Sequence, residues 1–210
     1  MRILICILLV SLNTFICFSS DLSKNDSIKY ELNIVVDELI RFRLNRVSVV
    51  ISETMPIHRI AVRDTVIGDS LVFIPPDLTI IDFSKTLFDS LIEQELIDSL
   101  DAKYMYSNID SSIVYSLEPS LISKPLLSKD EYDYLFVKND LDSGYLEIRK
   151  RYGTSCLIKV GTPSFNKCYT KLILAVDYFC GSLYGQGYIF ILEKINNKWR
   201  IIRELGTWES

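Results

Sequence analysis

The chain has 210 residues, 49% of them apolar, with 23 Lys and Arg against 27 Asp and Glu and a formal net charge of −4. That length is enough to close a core without staples. Its basic residues come in small groups flanked by acids, such as Arg41, Arg43 and Arg46 or Arg149, Lys150 and Arg151, which argues against a phosphate-tracking surface and against nucleic acid as a partner.

Arg2, the apolar run 3–12 and the small and polar residues after it have the form of a secretory signal. Residues 1–20 are expected to be removed, with cleavage after Ser19 or Ser20, and the run is too short to cross a bilayer as a stable helix. A lipid anchor at Cys17, the one route by which the chain would engage a membrane, ranks second because Ile16 stands where a small residue is wanted. The mature chain would have 210 − 20 = 190 residues and, with Arg2 lost, 22 basic against 27 acidic groups, a net charge of −5. On a length prior that is one domain, 21–210, mainly helical with short strands over 21–153 and an antiparallel sheet over 154–210.

Residues 21–27 read as a polar lead-in, and Asn25-Asp26-Ser27 matches a glycosylation acceptor. Ile28, Leu32, Val35, Val36, Leu39, Ile40 and Leu44 fall at helical spacing, which predicts a helix over 27–44 capped by Asp26 or Ser27. The β-branched run 47–51 predicts a strand stopped by Pro56, and 60–62 and 70–74 are further short strand candidates. Phe83, Leu87, Phe88, Leu91, Ile92, Leu96, Ile97 and Leu100 make one apolar face, which predicts a single helix over that stretch. Residues 101–124 read as an ordered but irregular connection. Ser128 with Glu131 forms a capping box for a short helix to Val137. Asp140 or Asp142 starts another helix, which Gly153 ends in a left-handed cap.

The C-terminal third alternates strand and turn: CLIKV, KLILAVDYFC, GYIFILEK and KWRIIREL. In the second of these, Leu172, Leu174, Val176 and Tyr178 occupy one face and Ile173, Ala175 and Phe179 the other, so the sheet must be covered on both sides. Asn196-Asn197 suits a tight hairpin. The fold class is therefore α+β: a C-terminal antiparallel meander of about four strands covered by N-terminal and central helices.

Each chemical candidate has a plain structural alternative. Cys6 and Cys17 lie in the signal, leaving Cys156, Cys168 and Cys180 in a chain bound for an oxidising compartment. With one histidine, His58, there is no four-ligand zinc set, and no metal or cofactor is expected. If the first two sheet strands turn near 166–169, opposed residues sum to about 334–336, which sets Cys156 opposite Tyr178 or Cys180. Cys168 then sits at the turn, roughly 15 Å away, so the expectation is a Cys156–Cys180 bridge with Cys168 free. His58 with Asp64 could serve as a general base, but no nucleophile elbow supports it. Gly181, Gly185 and Gly187 lead into a strand rather than a helix, so they read as a wide hairpin turn with a bulge, not a phosphate cradle. The carboxylates Glu93, Glu95 and Asp98, Asp130, Glu131 and Asp133, and Asp140 and Asp142 read as solvated faces and caps. Tyr184, Tyr178 and Tyr188 are the candidate binding residues, with Tyr184 exposed at the centre of its turn.

Pro163-x-Phe165-Asn166, Cys180-Gly181, Gly185-x-Gly187, Leu192-Glu193-Lys194, Asn197-Lys198-Trp199 and Trp208 together resemble a group of uncharacterised exported bacterial α+β proteins that end in the same sheet. Leu100-Asp101, Lys103-Tyr104-Met105 and 123–136 echo them more weakly. In such relatives a second cysteine often stands where this chain has Tyr184; its absence leaves Cys180 available for Cys156. The resemblance implies a fold and an exported address, and no reaction. A looser likeness to the closing strands of nuclear transport factor 2-like domains lies in the Gly-x-Gly to Lys-Trp pattern. Export, acidic charge and the lack of an assembled catalytic set together lead to the expectation of a non-enzymatic domain that binds a partner protein or small ligand at the cell envelope. A hydrolase or lyase with a carboxylate and tyrosine site, and an inhibitor or immunity-like protein, are the alternatives.

Overall fold

The computed structural model describes residues 24–56 and 83–210. The expected signal and Cys17 anchor, the strands at 60–62 and 70–74, and the His58–Asp64 pair lie outside the described residues. In chain order the elements are α1 (Lys24–Phe42), β1 (Val49–Ile51), α2 (Lys85–Glu93), α3 (Ser99–Ser107), β2 (Leu126–Leu127), α4 (Lys129–Phe136), α5 (Leu141–Tyr152), β3 (Cys156–Val160), β4 (Ser164–Phe165), β5 (Lys171–Cys180), β6 (Gly185–Ile195) and β7 (Lys198–Glu209).

The seven strands among the described residues belong to one sheet in the order β2-β1-β3-β5-β6-β7, with β4 pairing β5 off this path. The antiparallel part runs β3, β5, β6, β7, and the two-residue β4 makes a hairpin with β5. Short parallel strands β1 and β2 widen it beyond the expected meander. The fold is α+β, as the C-terminal alternation predicts. The β3–β5 register pairs Cys156 with Cys180 and Leu157 with Phe179, each pair summing to 336.

Both sheet faces are covered because β5 is apolar on both. On one face α1 presents Leu32, Val35, Val36, Leu39 and Ile40 to Leu172, Leu174, Val176, Phe190 and Leu192. On the other, α2 and α3 press Phe88, Leu91 and Met105 onto Ile173, Ala175, Ile189 and Ile191. Beside them α4 and α5 pack Tyr132, Phe136 and Ile148 on Leu157 and Phe179. Fully burying one such aliphatic or aromatic side chain is worth about 1.5–3 kcal/mol, so each layer is held chiefly by apolar area.

Several local expectations change. Asp26 and Ser27 lie inside α1 rather than capping it, because the helix begins at Lys24. Two polar residues on its buried side, Asn33 and Asp37, hook the connection below: Asn33 Oδ1 accepts from Glu118 N at 2.7 Å and Asp37 Oδ1 from Ser123 N at 2.6 Å. These bonds order part of an otherwise irregular stretch by satisfying its backbone.

The single helix expected from Phe83 to Leu100 is two. Glu95 takes φ 57°, a left-handed conformation that a helix interior forbids, and Asp98 then caps α3 by accepting from Asp101 N at 2.7 Å. Residues 101–107, expected to be irregular, therefore belong to a helix, α3. The capping box is present in both arms at Ser128 and Glu131. Asp140 caps α5, and Gly153 ends it at φ 84°. Asn196 and Asn197 both have positive φ, as a tight β6–β7 hairpin demands.

Candidate binding site

Strand alternation puts Tyr178 on the α1 face of β5, and the antiparallel register sets Gln186 opposite Tyr178 and Tyr188 opposite Val176. The turn closes when Cys180 N donates to Tyr184 O at 2.9 Å, with Gly181 at φ 116°. Tyr184 is thereby thrown back over its own strand, where its ring meets Tyr178 edge-on at 6.2 Å. It is 44% exposed.

The other wall comes from the end of α1. Arg43 and Leu44 both donate their amides to Leu39 O, closing the helix, and the chain then threads through Asn45 and Arg46 toward β1. Arg43 forms a two-point pair with Glu204 of β7, at 2.8 and 2.6 Å, and its guanidinium lies 5.8 Å from the centre of the Tyr188 ring. The result is an open concavity of about 550 Å³ in which Tyr178, Tyr184, Tyr188, Gln186, Arg43 and Arg46 converge. All three tyrosines singled out from the sequence lie here.

The Cys156–Cys180 disulfide forms part of the same lining. Tyr178 Oη lies 2.7 Å from Cys180 Sγ; since a bridged sulfur carries no proton, the phenol is the donor. Cys168 is itself disulfide-bonded, which corrects the expectation of a free thiol.

Burial pushes the Tyr178 phenol above its ordinary value near 10, with a further rise from Tyr184 and opposition from Arg46. Burial also raises Tyr188, with Arg43 opposing and Glu204 adding to the rise. Both therefore remain neutral hydroxyls in ordinary water, suited to hydrogen bonding and unsuited to act as phenolate nucleophiles or bases. Tyr188 Oη donates to Gln186 Oε1, and Gln186 Nε2 to Glu209 Oε1 at 3.0 Å.

Asp177 points the other way. It is fully buried on the opposite face, where its Oδ1 accepts from Trp208 Nε1 at 2.9 Å. Lys159, its register partner on β3, is also buried, with Nζ 4.3 Å from the Tyr132 ring centre and 5.6 Å from that of Phe179. Sequence reading missed Lys159, although the 336 register sum sets 159 against 177 and would have exposed two charges facing each other inside apolar strands. Of the glycines expected to make a hairpin turn with a bulge, Gly181 lies in the turn at φ 116° and the β6–β7 register slips between Gly187 and Tyr188, and two of them have a further task. Gly185 and Gly187 lie within β6, and a Cβ on Gly185 would sit 2.7 Å from Trp208 Cη2, so both keep a floor clear for the indole.

A second open concavity, also about 550 Å³, shares Asn45, Arg46 and Cys156 with the first; Lys124 and Arg151 also line it. Among the described residues no group of three or more His, Cys, Asp or Glu could hold a metal ion, and no helix is long and apolar enough to cross a membrane.

Compared with models of protein families, with curated proteins and with solved structures, the chain matches none.

Proposed function

We propose that this chain is an exported, non-enzymatic binding domain that takes a partner or small ligand at the cell envelope, with the tyrosine and arginine concavity as its site. The convergence of Tyr178, Tyr184 and Tyr188 with two arginines carries the reading. Tyrosines give rigid, amphipathic contact area at small entropic cost, and arginine supplies directional charged donors. No Asp or Glu is among the described residues lining the concavity; Glu204 and Glu209 are bonded to its Arg43 and Gln186. The sequence from Arg2 through the apolar run supports export, as does the disulfide. So does the resemblance to exported proteins, which supplies the envelope as the address.

A thermal-shift and activity screen on the mature protein beside Tyr184→Ala tests this. The expected result is ligands that raise the melting temperature of the parent and not of the variant. Turnover of a model ester, glycoside or peptide overturns it in favour of a hydrolase. Asp177 does not serve that reading, since the sheet separates it from Tyr178 and Tyr188.

A second reading has one observation in its favour. Leu183 is 82% exposed beside Tyr184 at the tip of the β5–β6 turn, a projecting apolar contact of the kind an inhibitor or immunity-like protein inserts into a target. Retained ligand binding in Leu183→Ser would separate the concavity from the tip.

A further inference from the structure

We propose that the two adjoining concavities form one trough for an acidic glycan, a chain of sugars bearing carboxylates; this rests on the binding role above and names its ligand class. The chain is acidic overall, yet the described residues lining both concavities include Arg43, Arg46, Lys124 and Arg151 and no Asp or Glu. Two of these cations are already used. Arg43 pairs with Glu204, and Arg151 with Glu147 at 2.8 Å and Glu131 at 3.5 Å. Arg46 and Lys124 form no ion pair or hydrogen bond among the described residues. Lys124 is half-buried among the residues that line the second concavity.

Arg46 lines both halves of the trough and Lys124 lines one, which suits a ligand whose anionic groups recur along its length. The remaining lining suits sugars. With their own protons given to Cys180 and Gln186, the phenol oxygens of Tyr178 and Tyr188 can accept hydrogen bonds from sugar hydroxyls, Asn45 offers an amide, and the half-exposed Tyr184 ring gives a face on which a pyranose can lie. An acidic peptide is less well served. Extended peptides gain affinity by adding to a free strand edge, whereas β1, β3 and β5, whose ends border the trough, each have neighbours on both sides, and the edge strand beside it, β2, is two residues long.

The test is titration calorimetry of the mature protein with four probes: a defined oligogalacturonate, its methyl-esterified form, a neutral oligosaccharide of equal length and a polyglutamate peptide. The expected outcome is binding of the oligogalacturonate alone, weakened roughly tenfold or more by Arg46→Gln and by Lys124→Gln, weakened by salt, and unchanged by Arg203→Gln on β7. Equal binding of the esterified or neutral oligomer, or tighter binding of polyglutamate, overturns the assignment. A ligand lost in Tyr184→Ala but retained in both Arg46→Gln and Lys124→Gln also overturns it, while leaving the binding role itself in place. Failure of all four probes to bind a folded protein overturns it as well.

Discussion

Trp208 Nε1 reaches Asp177 Oδ1 at 2.9 Å although the two residues stand on strands separated by β6. The register explains how: Lys159, Asp177, Gly187 and Trp208 form one row across β3, β5, β6 and β7, and at the third position there is no side chain to cross. A Cβ on Gly187 would fall far inside van der Waals contact of the indole nitrogen, and its ring also covers Gly185 before meeting Phe179 at 5.4 Å. Gly187→Ala must therefore displace the indole and strip a buried carboxylate of a donor, at a cost of about 3 kcal/mol. Gly206→Ala, where a Cβ meets nothing within 4 Å, should change stability by less than about 0.5 kcal/mol. Urea denaturation of the two variants side by side checks this, and equal midpoints would sink the account of the row.

That row also marks the limit of what the sequence disclosed. Alternation within β5 exposes its two faces, and the hairpin sum exposes the Cys156–Cys180 pair, because both follow from strand geometry alone. Glycine spacing in 181–187 looks like turn chemistry, and only the position of Trp208, more than twenty residues on, shows that two of the glycines are clearance. The break at Glu95 was hidden because Leu96, Ile97 and Leu100 keep helical spacing through it. In the candidate site the tyrosines were legible as types. Arg43 and Arg46 were not, since the end of a helix gives no signal of which strand turn it will approach.

The Cys156–Cys180 bridge closes a sequence separation of 24 residues between adjacent strands. Loop-closure entropy of that size is worth about 3 kcal/mol in the unfolded state. The double variant Cys156→Ser, Cys180→Ser should therefore melt roughly 6–12 °C lower for a domain of this length, while retaining its circular dichroism at 25 °C because the sheet is covered on both faces. A melting temperature within about 2 °C of the parent would show that the bridge adds little to a register already set by packing.

Glu38, on the flank of α1, has its carboxyl raised above the usual value of 4.5, first by burial and then by the nearby Asp37 and Glu31, with Lys198 opposing. A folded-state value above the unfolded one means the native protein binds the proton more tightly, so this group favours folding below pH 4.5 and loses that contribution as pH rises through its folded value. Glu38→Gln should remove this decline. Denaturation midpoints measured from pH 4 to 7 should fall less steeply, relative to the parent's own profile, in the variant. A parallel pair of profiles would show that Lys198 offsets the burial of Glu38.

Tyr145 of α5 is buried against Phe136, with ring centroids 4.9 Å apart, and burial alone holds its phenol well above the ordinary 10. Tyr178 and Tyr188 shift in the same direction. Each folded value lies above its unfolded one, so the stabilising contribution is whole below pH 10 and is lost as pH climbs toward the folded values, where the unfolded chain ionises and the native one does not. The protein should consequently unfold in alkali. Absorbance near 295 nm should report the buried phenols ionising together with loss of structure, rather than before it. Tyr145→Phe should soften the fall in stability above pH 10 and leave stability near pH 7 within about 1 kcal/mol of the parent. If Tyr145 is the strongest of the three contributors, Tyr178→Phe and Tyr188→Phe will soften it less, and a larger effect from either would place the more costly burial in the concavity instead of under α5.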